Sequence, residues 1–306
     1  MDRKRDDRSP APTARRRRWG RTVAGAALVL AAAGCTTLDT WQRQAIFQVD
    51  AAQSRWYRDA PEGTETFDLR HGNGEVVHAW YLASARADAP TVLYLHGSRW
   101  NLHNSVFRIE RWHQLGFNML AIDYRGFGRS SERLPSEASA IEDVRLAFEE
   151  LKRREPDAAR RFVYGHSLGG ALAIALAADN AATPEDGLAG LVVESSFTRI
   201  ADLVRETRWG WIPMLPWLVT QPFDSASKLA EVDEPLLVIH GTEDRVVPHP
   251  MADRLYESAT AVRGGLKRLL KVEGGSHSAS SRIGGDDYAR AVREFVGEAV
   301  RLARAS

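Results

Sequence analysis

Gly165-His166-Ser167-Leu168-Gly169 sets one serine between two glycines, after the apolar run Phe162-Val163-Tyr164 and before a small-residue helical stretch, Leu168 to Ala178. A G-x-S-x-G sequence at a strand-to-helix turn lifts a serine hydroxyl clear of a sheet edge. The glycines remove bulk where strand and helix approach. The helix N-terminus adds free N–H groups that favour negative charge. The chemistry this supports is acyl transfer to the hydroxyl, followed by hydrolysis. The bland alternative is a glycine-rich turn with an exposed, inert serine.

A serine hydroxyl is a weak nucleophile at neutral pH. It needs a base, and the base needs an orienting acid. For a serine on such a turn, the acid and then the histidine follow along the chain. Leu236 to Ile239 is an apolar run that leads into His240-Gly241-Thr242-Glu243-Asp244. Asp244 is the expected acid, with neighbouring Glu243 and, after the preceding strand, Glu194 as alternatives. Gly274-Gly275-Ser276-His277 follows the last strand-like run, so His277 is the expected base. Its rivals are His240 and His249. His240 is expected to end its strand in a structural hydrogen bond. His249 lies between Pro248 and Pro250, in a loop expected to point elsewhere. Two backbone N–H groups should face the developing oxyanion: that of Leu168, and that of Ser98 in His96-Gly97-Ser98.

The elements that must position these residues are legible in the hydropathy pattern. Thr66 to Leu69 and Val76 to Leu82 flank a turn-like segment and predict a β-hairpin. Strands are predicted at Thr91 to His96, Asn118 to Asp123, Phe162 to Tyr164, Leu191 to Glu194, Leu236 to His240 and Lys267 to Val272. Helices are predicted near Ser105 to Leu115, after a cap at Ser136, at Leu168 to Ala178, near Met251 to Thr260 and near Tyr288 to Leu302. On the helix after Ser136, Ile141, Val144, Phe148 and Leu151 share a face. A hairpin followed by repeated strand–helix units predicts an α/β fold, a mostly parallel sheet with helices on both faces.

With these pieces in place, the chain from roughly Phe67 to Val300 resembles the α/β-hydrolase superfamily, and most of all its serine-aminopeptidase-like and monoacylglycerol-lipase-like branch. The matching pieces are Leu95-His96-Gly97, Asp123 to Ser130, Pro135-Ser136-Glu137, Gly165 to Gly170, Glu194 to Thr198, Phe223-Asp224-Ser225, His240 to Pro248 and Gly274 to His277. Two departures stand out. Arg99-Trp100 follow Ser98 where the branch often has small residues, which makes the oxyanion loop bulkier or narrows the entrance. Ser278-Ala279-Ser280 replace the usual Asn-Asp after the histidine. The resemblance implies a serine hydrolase, with an ester expected as substrate. A serine aminopeptidase cleaving amides and a catalytically inert envelope protein are the alternatives. An acidic residue lining the pocket would favour the aminopeptidase. A serine in place of Asp as nucleophile disfavours a dehalogenase.

Between Phe197 and Phe223 the strand–helix rhythm stops. Trp209, Trp211, Ile212, Met214, Leu215, Trp217 and Leu218 alternate with Pro213 and Pro216, which prevent one long helix. This predicts a small cap, residues 197–223, that forms an apolar acyl pocket, faces a membrane, or simply packs on the body.

The N-terminus carries a different signal. Arg15 to Arg18 and Arg21 precede an apolar stretch from Thr22 to Ala33, too short for a typical transmembrane span. The stretch ends at Ala32-Ala33-Gly34-Cys35, which resembles the lipobox of bacterial lipoproteins apart from Ala32, where Leu is commoner. Cys35 is the only cysteine among 306 residues, so no intramolecular disulfide or zinc cluster is available. The resemblance implies a signal peptide over residues 1–34, lipidation at Cys35, and a periplasmic protein anchored to the cell-envelope membrane. Thr36, in place of the Asp of an inner-membrane retention signal, points to the outer membrane. An arginine pair is present but the rest of a twin-arginine signal is poor, so the export route stays open. Residues 35–60 form an amphipathic lead-in, whose Trp41, Ile46, Phe47, Trp56 and Tyr57 pack on the body or rest near the membrane. The hydrolase domain occupies 61–306.

The net charge of +1 comes from the leader. Residues 1–34 hold nine Lys/Arg and three Asp/Glu, leaving 32 basic against 37 acidic residues, or −5, in the remainder. That body gives no electrostatic reason to expect nucleic acid. The expected partners are a small acyl substrate, lipid-like ones included, and the membrane. No metal-binding or nucleotide-binding pattern is present, so no cofactor is expected.

Overall fold

The computed structural model describes residues 34–49, 56–180, 187–206 and 210–305. The leader through Ala33 and the cap residue Trp209 lie outside the described residues. Among the described residues eight strands form one sheet: β1 (Glu65–Arg70), β2 (Val76–Leu82), β3 (Thr91–Leu95), β4 (Asn118–Ile122), β5 (Arg161–His166), β6 (Gly190–Glu194), β7 (Leu236–Gly241) and β8 (Lys267–Val272). Their order is β1-β2-β4-β3-β5-β6-β7-β8. The hairpin β1–β2 and the β2–β4 pair are antiparallel, and every other pair is parallel.

Period-two alternation divides each inner strand between two apolar layers. Leu93, Leu95, Leu120, Ile122 and Val163 face one layer, which contains α3 (Glu137–Arg154), α4 (Leu168–Asn180) and α7 (Pro250–Ser258). Val92, Tyr94, Met119, Ala121, Phe162 and Tyr164 face the other, with α2 (Leu102–Gln114) and α9 (Gly285–Ala305). The central strands are buried on both faces, which explains their continuous apolar runs. This is the α/β-hydrolase architecture. Three short helices, α5 (Ile200–Arg205), α6 (Ser225–Leu229) and α8 (Ser280–Ile283), complete the body.

The helix ends combine local caps with long-range partners. Ser136 caps α3 in a capping box closed by Ser139. On α3, Val144, Phe148 and Leu151 are buried, and Ile141 is only half-buried at the rim. Helix α2 starts three residues before the position that apolar periodicity predicts. Asn101 caps it, and Asp123 Oδ1 takes the Leu102 N–H at 2.8 Å. A carboxylate 21 positions away thus satisfies a first-turn donor that no local pattern reveals.

The lead-in is a helix over residues 34–47, α1, docked on the body through Phe47. The Phe47 ring meets Phe223 and Phe127 at centroid distances of 6.0 and 6.5 Å. Trp41 and Trp56 are exposed. Among the described residues no helix is long and apolar enough to cross a membrane.

Candidate active site

The parallel strands point their C-terminal ends to one edge, where open α/β sheets gather their sites. Strand β5 ends at His166, α4 begins at Leu168, and Ser167 forms the turn with φ +54°. A left-handed backbone costs a non-glycine residue about 1–3 kcal/mol. Hydrogen bonds from distant residues help to hold it, each contributing about 1 kcal/mol. The Ser167 N–H donates to Glu194 O at 2.9 Å, and Ser196 Oγ donates to Ser167 O at 2.8 Å. The flanking glycines are required by contact. A Cβ on Gly165 would stand 2.2 Å from Gly169 O, and one on Gly169 would stand 2.0 Å from Leu95 O.

Asp244 lies just past β7, its side chain fully buried. Its Oδ1 accepts the N–H groups of Val246 and Val247 at 2.8 and 2.9 Å. Its Oδ2 faces His277 Nδ1 at 2.8 Å and His240 Nε2 at 3.2 Å. Burial opposes ionisation, but the hydrogen bonds from His240 and His277 outweigh it and hold the carboxyl well below the usual carboxylate range. An ionised carboxylate only accepts, so His277 Nδ1 carries the proton and Nε2 is left as an acceptor. That Nε2 stands 3.1 Å from Ser167 Oγ.

The loop bearing His277 is held to the loop bearing Asp244 by backbone contact. The Glu243 N–H donates to Gly275 O at 2.9 Å, and the Gly274 N–H to Thr242 Oγ1 at 2.9 Å. Gly241 and Gly275 face each other so closely that a Cβ on Gly241 would meet Gly275 O at 2.2 Å.

The rival residues are placed elsewhere. Glu243 points to solvent. Glu194 is buried behind the turn, where its Oε2 accepts the hydroxyls of Tyr164 and Tyr288 at 2.7 and 2.9 Å. His240 donates to Val247 O at 2.9 Å and supports Asp244 from behind. His249 stands at the start of α7 and is absent from the cavity around Ser167.

Ser98 and Ser167 line one cavity of about 560 Å³, with Gly97, Trp100, His166, Val246 and His277 among its other walls. Gly97 brings the Ser98 backbone close: a Cβ there would be 3.2 Å from Ser167 Cβ. Neither the Ser98 nor the Leu168 N–H has a backbone acceptor among the described residues. The Arg99 N–H does, donating to Phe47 O at 3.0 Å, while its own φ is +68°. Arg99 stands exposed at the cavity wall, and none of the described lining residues is Asp or Glu. Of the cap, no described residue lines this cavity.

One residue escaped sequence reasoning. His166, the variable position of G-x-S-x-G, donates from Nε2 to His277 O at 2.8 Å. Burial, followed by the charge of Arg108 and the neighbouring His277, holds His166 well below the ordinary histidine range, so it is neutral. Trp100 stacks on it at 6.2 Å. No local pattern announces a bond across 111 positions. Among the described residues no group of His, Cys, Asp and Glu is arranged to hold a metal ion.

Residues 87–221 match the family model described as serine aminopeptidase, S33. An uncharacterized protein of Mycobacterium tuberculosis is 32% identical over 232 residues, covering 75% of this chain and 78% of the relative. The α/β hydrolase domain-containing protein WAV2 of Arabidopsis thaliana is 28% identical over 242 residues, covering 74% and 77%. In fold, the chain is similar to the Pyrococcus furiosus esterase Pf2001, with a TM-score of 0.61 and 20% identity over 77% of this chain and 92% of the esterase.

Proposed function

Because this chain belongs to the α/β-hydrolase superfamily and is a hydrolase, we propose that it is a serine hydrolase that cleaves a carboxylic ester through an acyl-enzyme. One observation carries the reading: the unbroken contact from Ser167 Oγ to His277 Nε2 at 3.1 Å and from His277 Nδ1 to Asp244 Oδ2 at 2.8 Å.

Ser167 Oγ attacks the ester carbonyl as His277 Nε2 takes its proton, and Asp244 stabilises the resulting imidazolium. The oxyanion is met by the N–H groups of Leu168 and Ser98. Collapse of the intermediate breaks the ester C–O bond, and His277 returns the proton to the departing alcohol. Water, deprotonated by His277, then cleaves the acyl-enzyme and restores Ser167.

The family description supports a second reading, an aminopeptidase. Such an enzyme must hold the substrate's ammonium group, and the cavity offers an arginine at its wall with no carboxylate among the described lining residues. Trp56, Trp100 and Val246 suit an apolar acyl group instead. That lining favours the ester, lipid-like esters included.

The proposal extends to location: the leader sequence and Cys35 support a hydrolase of the bacterial envelope, lipid-anchored on the periplasmic side. Cys35 is exposed at the start of α1, open to acylation.

The test is a panel of p-nitrophenyl esters of graded acyl length beside aminopeptidase substrates, together with fluorophosphonate labelling. Wild type should label and turn over esters. Ser167→Ala should lose labelling and about 10³–10⁶-fold of turnover while remaining folded. Retained turnover in that variant would overturn the assignment.

A further inference from the structure

Trp41, Trp211, Met214, Trp217 and Leu218 project from the surface, with Trp211 76%, Trp217 80% and Trp41 64% exposed. Scattered exposed apolar residues need no explanation, but a contiguous group marks an interaction surface. These residues are gathered, because α1 docks against the cap. Gln42 Nε2 donates to Leu218 O at 2.7 Å, and the Thr220 N–H donates to Gln42 Oε1 at 2.8 Å. Between the two elements lies a groove of about 260 Å³ with almost wholly apolar walls, among them Leu38, Trp41, Ile46, Leu215 and Leu218. It shares no lining residue with the cavity around Ser167.

We propose that α1 and residues 211–218 form one bilayer-docking face, with Trp41, Trp211 and Trp217 seated at the lipid–water interface. Three features select a bilayer as the occupant. Tryptophan, apolar in body with one N–H donor, is the side chain that the interface accommodates best. The charged side chains of α1, Asp39 and Arg43, pair with each other and residues 211–218 carry no charge, so the face is neutral and docks by apolar burial. The chain also enters the body here: the apolar stretch ending at Ala33 leads through Cys35 to Trp41 six positions later. An acyl chain on Cys35 is attached about 9 Å of helix away from Trp41. The inference goes beyond the hydrolase reading and does not require it.

The face also bears on substrate delivery. Helix α1 ends at Phe47, whose carbonyl holds Arg99, and Gln48 lines the cavity around Ser167. Trp41 and Phe47, the residue before Gln48, are separated by about 9 Å along the helix axis. A substrate carried in the bilayer therefore starts close to the cavity mouth.

The experiment uses the full chain with Trp19→Phe, reconstituted into phosphatidylcholine vesicles with brominated acyl chains. Tryptophan emission should be strongly quenched. Adding Trp41→Ser, Trp211→Ser and Trp217→Ser should remove most of the quenchable emission, at high and low salt alike, with thermal melting unchanged. Turnover of an ester embedded in the vesicles should fall relative to a dispersed short-chain ester. Equal fractional quenching of the two proteins would overturn the proposal. So would a dimer in light scattering that the substitutions dissociate without changing quenching, because a second copy would then cover the face. Should no ester be hydrolysed at all, the quenching result stands independently.

Discussion

His166 Nε2 lies 2.8 Å from the carbonyl oxygen of His277, so the residue before the nucleophile holds the backbone of the base. The imidazole of His277 is thereby fixed from two sides, by Asp244 at its Nδ1 and by His166 at its main chain. A base on a glycine-rich loop needs such anchoring, because small displacements from attack geometry are costly in rate.

His166→Phe keeps the bulk and removes the donor. Steady-state kinetics should show kcat reduced by about 10–100-fold with KM little changed. His166→Gln, which can still donate to His277 O, should recover much of that loss. Equal rates in the two variants would mean that His166 only fills space.

Asp244 and Glu194 are separable by substitution. Asp244→Asn should lower ester turnover by about 10³–10⁴-fold, because the imidazole loses the partner that sets its tautomer. Glu194→Gln can still accept from Tyr164 and Tyr288, so probe labelling should persist. Loss of labelling in the Glu194 variant alone would reverse the assignment of the acid.

His166 and Asp244 are among the groups that make the fold acid-sensitive, together with His96, which burial holds down to about 4. His166 is held neutral, its folded pKa below its unfolded value of about 6.5, so the unfolded chain binds the extra proton as pH falls. Its contribution is present above about pH 6.5 and declines below it. Asp244 has a depressed folded pKa, and its contribution is present above about pH 4 and lost below. Asp123 runs the other way: burial raises it to about 7, so its contribution fades as pH climbs from about 4 towards that value. Melting temperature followed across pH should fall on the acid side, and His166→Gln should flatten the portion between pH 5 and 6.5 relative to wild type.

Two glycines near the site should respond differently to alanine. At Gly169 the new Cβ meets rigid Leu95 backbone at 2.0 Å, which should cost at least about 1–3 kcal/mol in denaturant unfolding. At Gly97 the nearest atoms stand at 3.2 Å, so Gly97→Ala should fold and chiefly impair hydrolysis, through the Ser98 amide.

Cys35→Ala should abolish incorporation of radiolabelled palmitate in bacterial cells. Unchanged labelling would remove the lipid anchor from the proposal.

The nucleophile turn was legible because its constraints are local. Backbone at φ +54°, a strand ending at His166 and a helix starting at Leu168 leave no room for a Cβ at position 165, where it would meet Gly169 O, and that requirement is written within five residues. The parallel sheet was legible for a similar reason, since strands buried on both faces must be apolar throughout. Tertiary structure decided what depends on approach between distant segments. Asp244 rather than Glu243 or Glu194 faces His277 because the loops after β7 and β8 pack glycine against glycine, and side-chain direction past a turn follows that packing. The early start of α2, the bond from His166 to His277 and the exposure of the cap tryptophans were decided in the same way. Each rests on a partner, or the lack of one, that lies far along the chain and close only once the sheet has assembled.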